Sequence, residues 1–203
     1  MRVCLLGNGY YQTPMMPSGM PGPLAQMFVA LGANLPRTDT DPRETVAAAV
    51  DLLDAERGVA VVRVAPWIRS PAEPPGSGPD FVNGVVEVNS ALSPQEMLSR
   101  LHAIERALGR ERPARWAPRV CDLDLIAAGR RVLPDRATVA RWMALSPEEA
   151  AREAPGTLIL PPPRMHERAF VLVPLAEIAP AWRPAAELRD DLPREKLEAI
   201  RTL

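Results

Sequence analysis

Apolar residues follow two spacings along the chain and predict alternating strands and helices. Runs rich in Val and Leu, with short alternating stretches, predict strands at residues 27–33, 59–68, 81–89 and 122–128. Apolar residues at helical spacing predict two amphipathic helices between them. Their predicted buried positions are Val46, Val50 and Leu53 in the first helix and Met97, Leu101, Ile104 and Leu108 in the second.

The order of these elements is strand, helix, strand, strand, helix, strand. It predicts an α+β fold with a ferredoxin-like βαββαβ core, in which helices pack on an antiparallel-rich sheet. Three helix starts share one pattern, with an N-cap acceptor, Pro at the next position and Glu three residues after the cap. The N-caps are Asp41, Ser93 and Ser146.

The chain is expected to contain one domain with shorter flanking segments. Residues 1–26 have no periodicity and predict a disordered extension, 27–182 form the domain, and 183–203 form a tail with one helix. An insert at 137–154 is expected, with a helix near 145–154. A short strand at 158–160 follows, and then a helix at 165–178 that Pro174 should kink or end.

Charge and cysteine content exclude several classes of protein. The 24 basic and 25 acidic residues give a net charge of −1, which argues against nucleic acid or an anionic membrane as the main partner. No apolar run approaches the ~18 residues of a transmembrane helix. The two cysteines, Cys4 and Cys121, lack metal or redox spacing, so a cytoplasmic protein is expected.

Lysine is almost absent, because Lys196 near the C-terminus is the only one. A central site that needs lysine is therefore excluded, including the phosphate-binding loop, the protein-kinase site and the pyridoxal Schiff base. If the protein binds phosphate, arginine must do so.

The candidate chemistry is concentrated at residues 110–124. Arg110, Arg112 and Arg119 lie in a proline-containing loop that could close over a triphosphate. Asp122 and Asp124 follow in a predicted strand, where residues i and i+2 point to one face about 6.6 Å apart. This pair favours two Mg²⁺ ions that also contact substrate phosphates. The alternative is a solvated pair of carboxylates bound to Arg115 or Arg119.

Residues 115–124, R-W-A-P-R-V-C-D-L-D, resemble the signature of the hydroxymethyl-dihydropterin pyrophosphokinase family of folate biosynthesis. Three other motifs resemble the same family in the same order, and the similarity runs from residue 28 to 180. They are 31–35 (L-G-A-N-L), 69–71 with 79–83 (R-S-P and P-D-F-V-N) and 165–175 (M-H-E-R-A-F-V-L-V-P-L).

The resemblance implies a transferase that moves pyrophosphate from ATP to 6-hydroxymethyl-7,8-dihydropterin, giving AMP and the pterin diphosphate. It implies ATP contacts from Glu105, Arg110, Trp116 and Arg119, and phosphate contacts from Arg110, Arg112, Arg119 and Arg168. The implied pterin site consists of Ser70, Pro71, Phe81, Asn83 and Phe170. The implied metal ligands are Asp122 and Asp124, holding two Mg²⁺ ions with ATP. A monomer is expected.

One departure from the family pattern bears on activity. Pro162 stands where the family has a histidine that contacts ATP. Since one neutral hydrogen bond is worth ~1 kcal/mol, we expect weaker ATP binding with activity retained. The alternatives are a non-catalytic ligand-binding relative that has lost nucleotide competence and, less favoured by charge and aromatic content, an RNA-binding module. For Glu105 the alternative is a surface carboxylate paired with Arg106 or Arg110.

Overall fold

The computed structural model describes residues 24–36, 41–72, 76, 78–109, 120–180 and 189–203. Its strands are β1 (Ala25–Ala33), β2 (Val59–Val64), β3 (Ile68–Ser70), β4 (Phe81–Ser90), β5 (Asp122–Ala128) and β6 (Arg201–Thr202). Its α-helices are α1 (Pro42–Asp54), α2 (Pro94–Ala107), α3 (Arg136–Met143), α4 (Pro147–Arg152), α5 (Ala169–Ile178) and α6 (Arg194–Glu198), and a 3-10 turn spans Met165–Glu167.

The strands form one antiparallel sheet in the order β5-β1-β4-β3-β6, and β2 pairs with another part of β4. With α1 and α2 between the strands, this is the predicted ferredoxin-like βαββαβ arrangement, which is confirmed. The predicted buried positions of both helices lie in one aliphatic cluster with residues of β1, β4 and β5. Helix α5 packs on the opposite face, against Phe28, Val85 and Ile126.

The three predicted helix starts are confirmed. The Asp41 carboxylate accepts a hydrogen bond from the Arg43 amide at 2.8 Å. Ser93 and Ser146 each form a capping box with the glutamate three residues later. At the other end of α2, Gly109 has a φ of +87°, which glycine adopts without steric strain. Local sequence therefore fixes where these helices begin.

The predicted strand at 59–68 is two strands, because residues 65–67 interrupt it. Pro66 has no amide to donate to a ladder. The ring of Trp67 lies directly on Gly84 of β4, where a Cβ would have no room. Strands β2 and β3 consequently pair with different parts of β4.

The C-terminal half differs from the prediction in three places. Helix α3 was not expected, although Asp135 caps it through the Thr138 amide at 2.8 Å. The predicted strand at 158–160 is a single bridge between Leu133 and Leu160. The predicted helix at 165–178 is a 3-10 turn followed by α5, and α5 does not end at Pro174 but continues to Ile178.

The flanking segments are described only in part. Strand β1 begins at Ala25, two residues before the predicted start, while residues 1–23 lie outside the described part of the chain. Residues 181–188 also lie outside it, and the predicted terminal helix is α6, which carries Lys196. The proposed domain division therefore stays a prediction. None of the helices in the described ranges is long and apolar enough to cross a membrane.

Candidate active site

The candidate site lies on the α5 face of the sheet, along one row of paired residues. Gly32 of β1 pairs with Asn83 of β4 on one side and with Asp122 of β5 on the other. Since neighbouring strands are about 4.8 Å apart, this register puts Asp122 and Asn83 roughly 10 Å from each other. Side chains that are far apart in the sequence therefore share one short stretch of surface.

Asn83 forms the floor at one end of this row. It is buried, and its Nδ2 donates to the hydroxyl of Ser70 at 2.9 Å, while that hydroxyl donates to the Pro71 carbonyl at 3.4 Å. Within the described residues, no other group forms a hydrogen bond with Oδ1 or with the second side-chain N–H of Asn83. The amide can therefore offer one acceptor and one donor to a ligand that has a polar edge.

Gly32 makes room for this amide. A Cβ at Gly32 would lie 2.9 Å from Asn83 Oδ1 and 3.6 Å from the Phe81 ring. Phe81 is the first residue of β4 and is half-buried on the same face as Asn83. Phe81, Asn83 and Ser70 are thus brought together, and exposed Pro71 follows Ser70 in the chain. Four of the five predicted pterin residues lie here.

Asp122 and Asp124 lie at the other end, on the same face of β5. The residues that alternate with them, Leu123 and Leu125, are 1% and 3% exposed in the core beneath α1 and α2. The side chain of Asp124 is 51% exposed, and its Oδ2 lies 3.7 Å from Arg168 Nη1. The predicted direction of both carboxylates is correct, and the structure brings Arg168 to Asp124.

The donor set fits Mg²⁺ that is shared with a substrate. Within the described ranges no three His, Cys, Asp or Glu residues form a group that could hold a metal ion. Two carboxylates supply hard oxygen ligands but leave most positions of an octahedron to other donors. Phosphate oxygens and water are the usual donors for those positions.

Arg168 and Phe170 come from the start of α5. Arg168 is its N-cap residue, with φ −104° and ψ 92°, and its guanidinium carbon lies 5.9 Å from the centre of the Phe170 ring. Phe170 is half-buried at the edge of the apolar cluster under α5. The start of this helix thus supplies a cation toward the acidic pair and an aromatic ring on the site's face of the sheet.

Glu105 lies beneath β5 rather than on the surface of α2. It is 1% exposed, and its Oε1 accepts a hydrogen bond from the Leu123 amide at 2.8 Å. The alternative of a surface carboxylate is therefore wrong, because the strand packs over it. The contacted amide lies between Asp122 and Asp124 in sequence, so Glu105 supports the backbone that carries both carboxylates.

The remaining predicted residues of the nucleotide side, Arg110, Arg112, Trp116 and Arg119, lie outside the described residues. The position of Pro162 is described: its carbonyl accepts from the Met165 amide at 3.1 Å at the start of the 3-10 turn. His166 follows in this turn, with its Nε2 3.6 Å from Glu167 Oε1.

Comparison with known proteins bears on this arrangement. The model of the 7,8-dihydro-6-hydroxymethylpterin-pyrophosphokinase family matches residues 28–180. The chain belongs to this family. A relative from Synechocystis sp., named 2-amino-4-hydroxy-6-hydroxymethyldihydropteridine pyrophosphokinase, is 39% identical over 170 residues, covering 83% of this chain and 74% of the relative. One of the same name from Pseudomonas aeruginosa is 36% identical over 160 residues, covering 79% and 84%.

A solved structure supports the fold of this pyrophosphokinase family member. The crystal structure described as HPPK-DHPS in complex with substrates superposes with a TM-score of 0.57 at 11% identity. The match covers 83% of this chain but only 43% of that one, so the likeness concerns the fold alone.

Three residues near the site had no role assigned from the sequence. Gly32 and Asn34 belong to the L-G-A-N-L motif that carries the resemblance, and only the register shows what they contact. Asn34 is buried and its Nδ2 donates to the Pro79 carbonyl at 3.1 Å, two residues before Phe81. Lys196 donates a hydrogen bond to the main-chain carbonyl of Glu167, the residue before Arg168. No motif or spacing in the sequence predicts that contact.

Proposed function

We propose that the chain is an Mg²⁺-dependent enzyme that transfers pyrophosphate from ATP to 6-hydroxymethyl-7,8-dihydropterin in folate biosynthesis. Its products are AMP and the pterin diphosphate. Family membership supports the reaction. The location of the site is proposed from the row of paired residues in which Gly32 lies between Asp122 and Asn83. An acidic end and an amide-lined end about 10 Å apart suit two substrates, with the phosphates of ATP at the acidic end and the flat pterin ring at the amide end.

The pterin would lie at the Asn83 end. Its edge carries hydrogen-bond donors and acceptors, which the remaining donor and acceptor of the Asn83 amide can read. Its faces are apolar and suit the rings of Phe81 and Phe170. Ser70 orients the amide, and Pro71 follows at the rim of the pocket.

The triphosphate would lie at the Asp122 end. Asp122 and Asp124 would hold two Mg²⁺ ions, which when bound neutralise charge on the phosphate oxygens. Arg168 is close enough to Asp124 to contact the same phosphates. Transfer at phosphorus needs positioning and charge neutralisation more than covalent help from the protein, and these residues supply both.

The arginine-rich loop completes this proposal. Arg110, Arg112 and Arg119 would contact the phosphates, and Trp116 would contact the nucleotide. Glu105 is also proposed at the ATP side. Its carboxylate already accepts a hydrogen bond from the Leu123 amide of β5. Glu105 would therefore contact ATP and hold β5 in place at the same time.

The alternative is a non-catalytic relative in which Pro162 has removed nucleotide competence. Identities of 34% to 39% with several proteins named as pyrophosphokinases favour the enzyme. We further propose a cytoplasmic monomer that binds neither nucleic acid nor membrane, as the near-neutral charge suggests.

Formation of AMP tests the proposal. Purified full-length chain is incubated with ATP, Mg²⁺ and the reduced hydroxymethyl-pterin, and AMP is separated by chromatography, with the pterin omitted as a control. We expect pterin-dependent AMP. A Pro162→His variant, which restores the family residue, should bind ATP about tenfold more tightly. Folded protein that binds pterin but releases no AMP in either form would favour the non-catalytic alternative.

A further inference from the structure

The C-terminal segment 189–203 lies beyond the residues that match the family model. It nevertheless contacts the apolar cluster under α5 and strand β3, which carry residues of the candidate site. Leu192 is buried against the cluster under α5, and Leu197 and Ile200 pack on the same cluster. At the far end, β6 adds an edge strand to β3, and the Leu203 amide donates to the Trp67 carbonyl at 2.9 Å. The segment is therefore docked along its described length.

Lys196 makes the contact that points to a function. Its ammonium donates a hydrogen bond to the main-chain carbonyl of Glu167 at 2.8 Å. The carboxylate of Glu167 is bound instead by Arg164, whose Nε and Nη2 lie 2.8 and 2.6 Å from Oε2. The lysine thus binds the backbone and is not a simple ion pair with the glutamate.

The contacted carbonyl belongs to the peptide that leads into Arg168. A peptide unit is planar, so a bond that fixes the Glu167 carbonyl also fixes the direction of the Arg168 amide. Arg168 has non-helical backbone angles and no side-chain cap, and its guanidinium lies 3.7 Å from Asp124. The Arg168 amide itself donates to the Met165 carbonyl at 3.1 Å, so the bond from Lys196 is a second hydrogen bond on the same peptide.

We infer that Lys196 is a positioning residue: it holds the Glu167–Arg168 peptide so that Arg168 faces Asp124 and the phosphates of ATP. This inference rests on the proposed role of Arg168 at the phosphates. It also gives a role to the single lysine of the chain, beside a site whose proposed positive charges are all arginines. An ammonium presents three donors from one point and can reach a carbonyl that a planar guanidinium would meet differently.

The test compares variants of the full-length chain by calorimetric binding of ATP with Mg²⁺, steady-state kinetics and thermal melting. Lys196→Met keeps the aliphatic stem but loses the donors, and Lys196→Arg keeps a donor. Arg194→Met is the matched control, because it removes a cation of α6 that pairs with exposed Glu198. Lys196→Met should weaken ATP binding and lower kcat/KM for ATP about tenfold, with KM for the pterin unchanged. Lys196→Arg should recover part of the lost ATP affinity and of the lost kcat/KM for ATP. Arg194→Met should leave both quantities unchanged.

A double-variant cycle shows whether the effect passes through Arg168. In an Arg168→Met background, Lys196→Met should cause no further loss of ATP affinity. Additive losses, an equal effect of Arg194→Met, or a lower melting temperature with unchanged ATP affinity would each overturn the inference. Failure of the proposed function would look different, since the unaltered chain would then form no AMP while the ATP affinities still reported on Lys196.

Discussion

The face of the sheet under α1 and α2 and the face under α5 differ along the same strands. Helices α1 and α2, with 13 and 14 residues, cover a continuous aliphatic cluster. Helix α5 has 10 residues, and its cluster stops at Ala30, Val85 and Ile126, just before the row that contains Gly32. Polar side chains on a sheet are tolerated where the helical cover ends, and the candidate site lies there.

Strand β5 shows the contrast within seven residues. Its leucines enter the core on one face, while Asp122 and Asp124 leave the other face toward Arg168. The period of two that makes one face a core leaves the opposite face available for chemistry. Substitutions on the two faces should accordingly affect different measurements.

The largest effect is expected from removing both carboxylates of β5. Asp122→Asn combined with Asp124→Asn should lower kcat by at least about 1000-fold, because the charge that would hold Mg²⁺ is lost. The melting temperature should hardly change, since these side chains lie outside the apolar cores. Asp51→Asn, on an exposed position of α1, is the control. A large fall in melting temperature with turnover retained would assign the pair a structural role.

On the opposite face, Leu101→Ala should act on stability. Leu101 is fully buried in α2, and such truncations cost about 2–5 kcal/mol in the free energy of unfolding. Urea denaturation measures this loss, while kcat per folded molecule should stay near that of the unaltered chain. Leu52→Ala, at a position 38% exposed, should cost less than about 0.5 kcal/mol. A large fall in kcat per folded molecule would show that the two faces are coupled.

Gly32→Ala tests whether the row formed by Asp122, Gly32 and Asn83 has separate ends for ATP and the pterin. Its Cβ would lie 2.9 Å from Asn83 Oδ1, which is too close for a real contact, so the amide must shift. Pterin affinity, measured by calorimetry, should fall about tenfold while ATP affinity is unchanged. Gly156→Ala, where a Cβ meets nothing within 4 Å, is the control. Equal losses for both ligands would contradict separate ends of the site.

The smallest effect concerns the start of α2. Hydrogen bonds from the Ser93 hydroxyl and amide hold the pKa of Glu96 below its ordinary value of 4.5. A lowered pKa in the folded state stabilises the protein above pH 4.5, and this contribution is lost as the pH falls through the lowered pKa. Glu96→Gln should therefore be less stable than the unaltered chain at pH 7, with the difference narrowing in acid. Urea denaturation of both proteins at pH 7 and in acid checks this. A stability difference that grows in acid would contradict a lowered pKa of Glu96.

Much of the fold could be predicted because its signals are local. Each N-cap bonds a group within three residues of itself, namely the Arg43 amide for Asp41, Glu96 for Ser93 and Glu149 for Ser146, so no distant contact is needed. The strand at 59–68 was predicted as continuous because the break depends on Trp67 meeting Gly84, two residues that local patterning does not connect. Helix α3 does not follow from the sequence pattern although its cap at Asp135 is readable, because Val139 is the only buried residue of the helix and no apolar stripe marks a core-facing side.

The sequence by itself determined the family, the direction of Asp122 and Asp124 and the faces of α1 and α2, because motif spacing and periodicity act over a few residues. The tertiary structure decided which of these residues meet. Strand register placed Gly32 between Asn83 and Asp122, packing buried Glu105 under Leu123, and docking of the C-terminal segment brought Lys196 to Glu167. Such contacts join residues far apart in the chain, so they exist only once the sheet and its helices have packed.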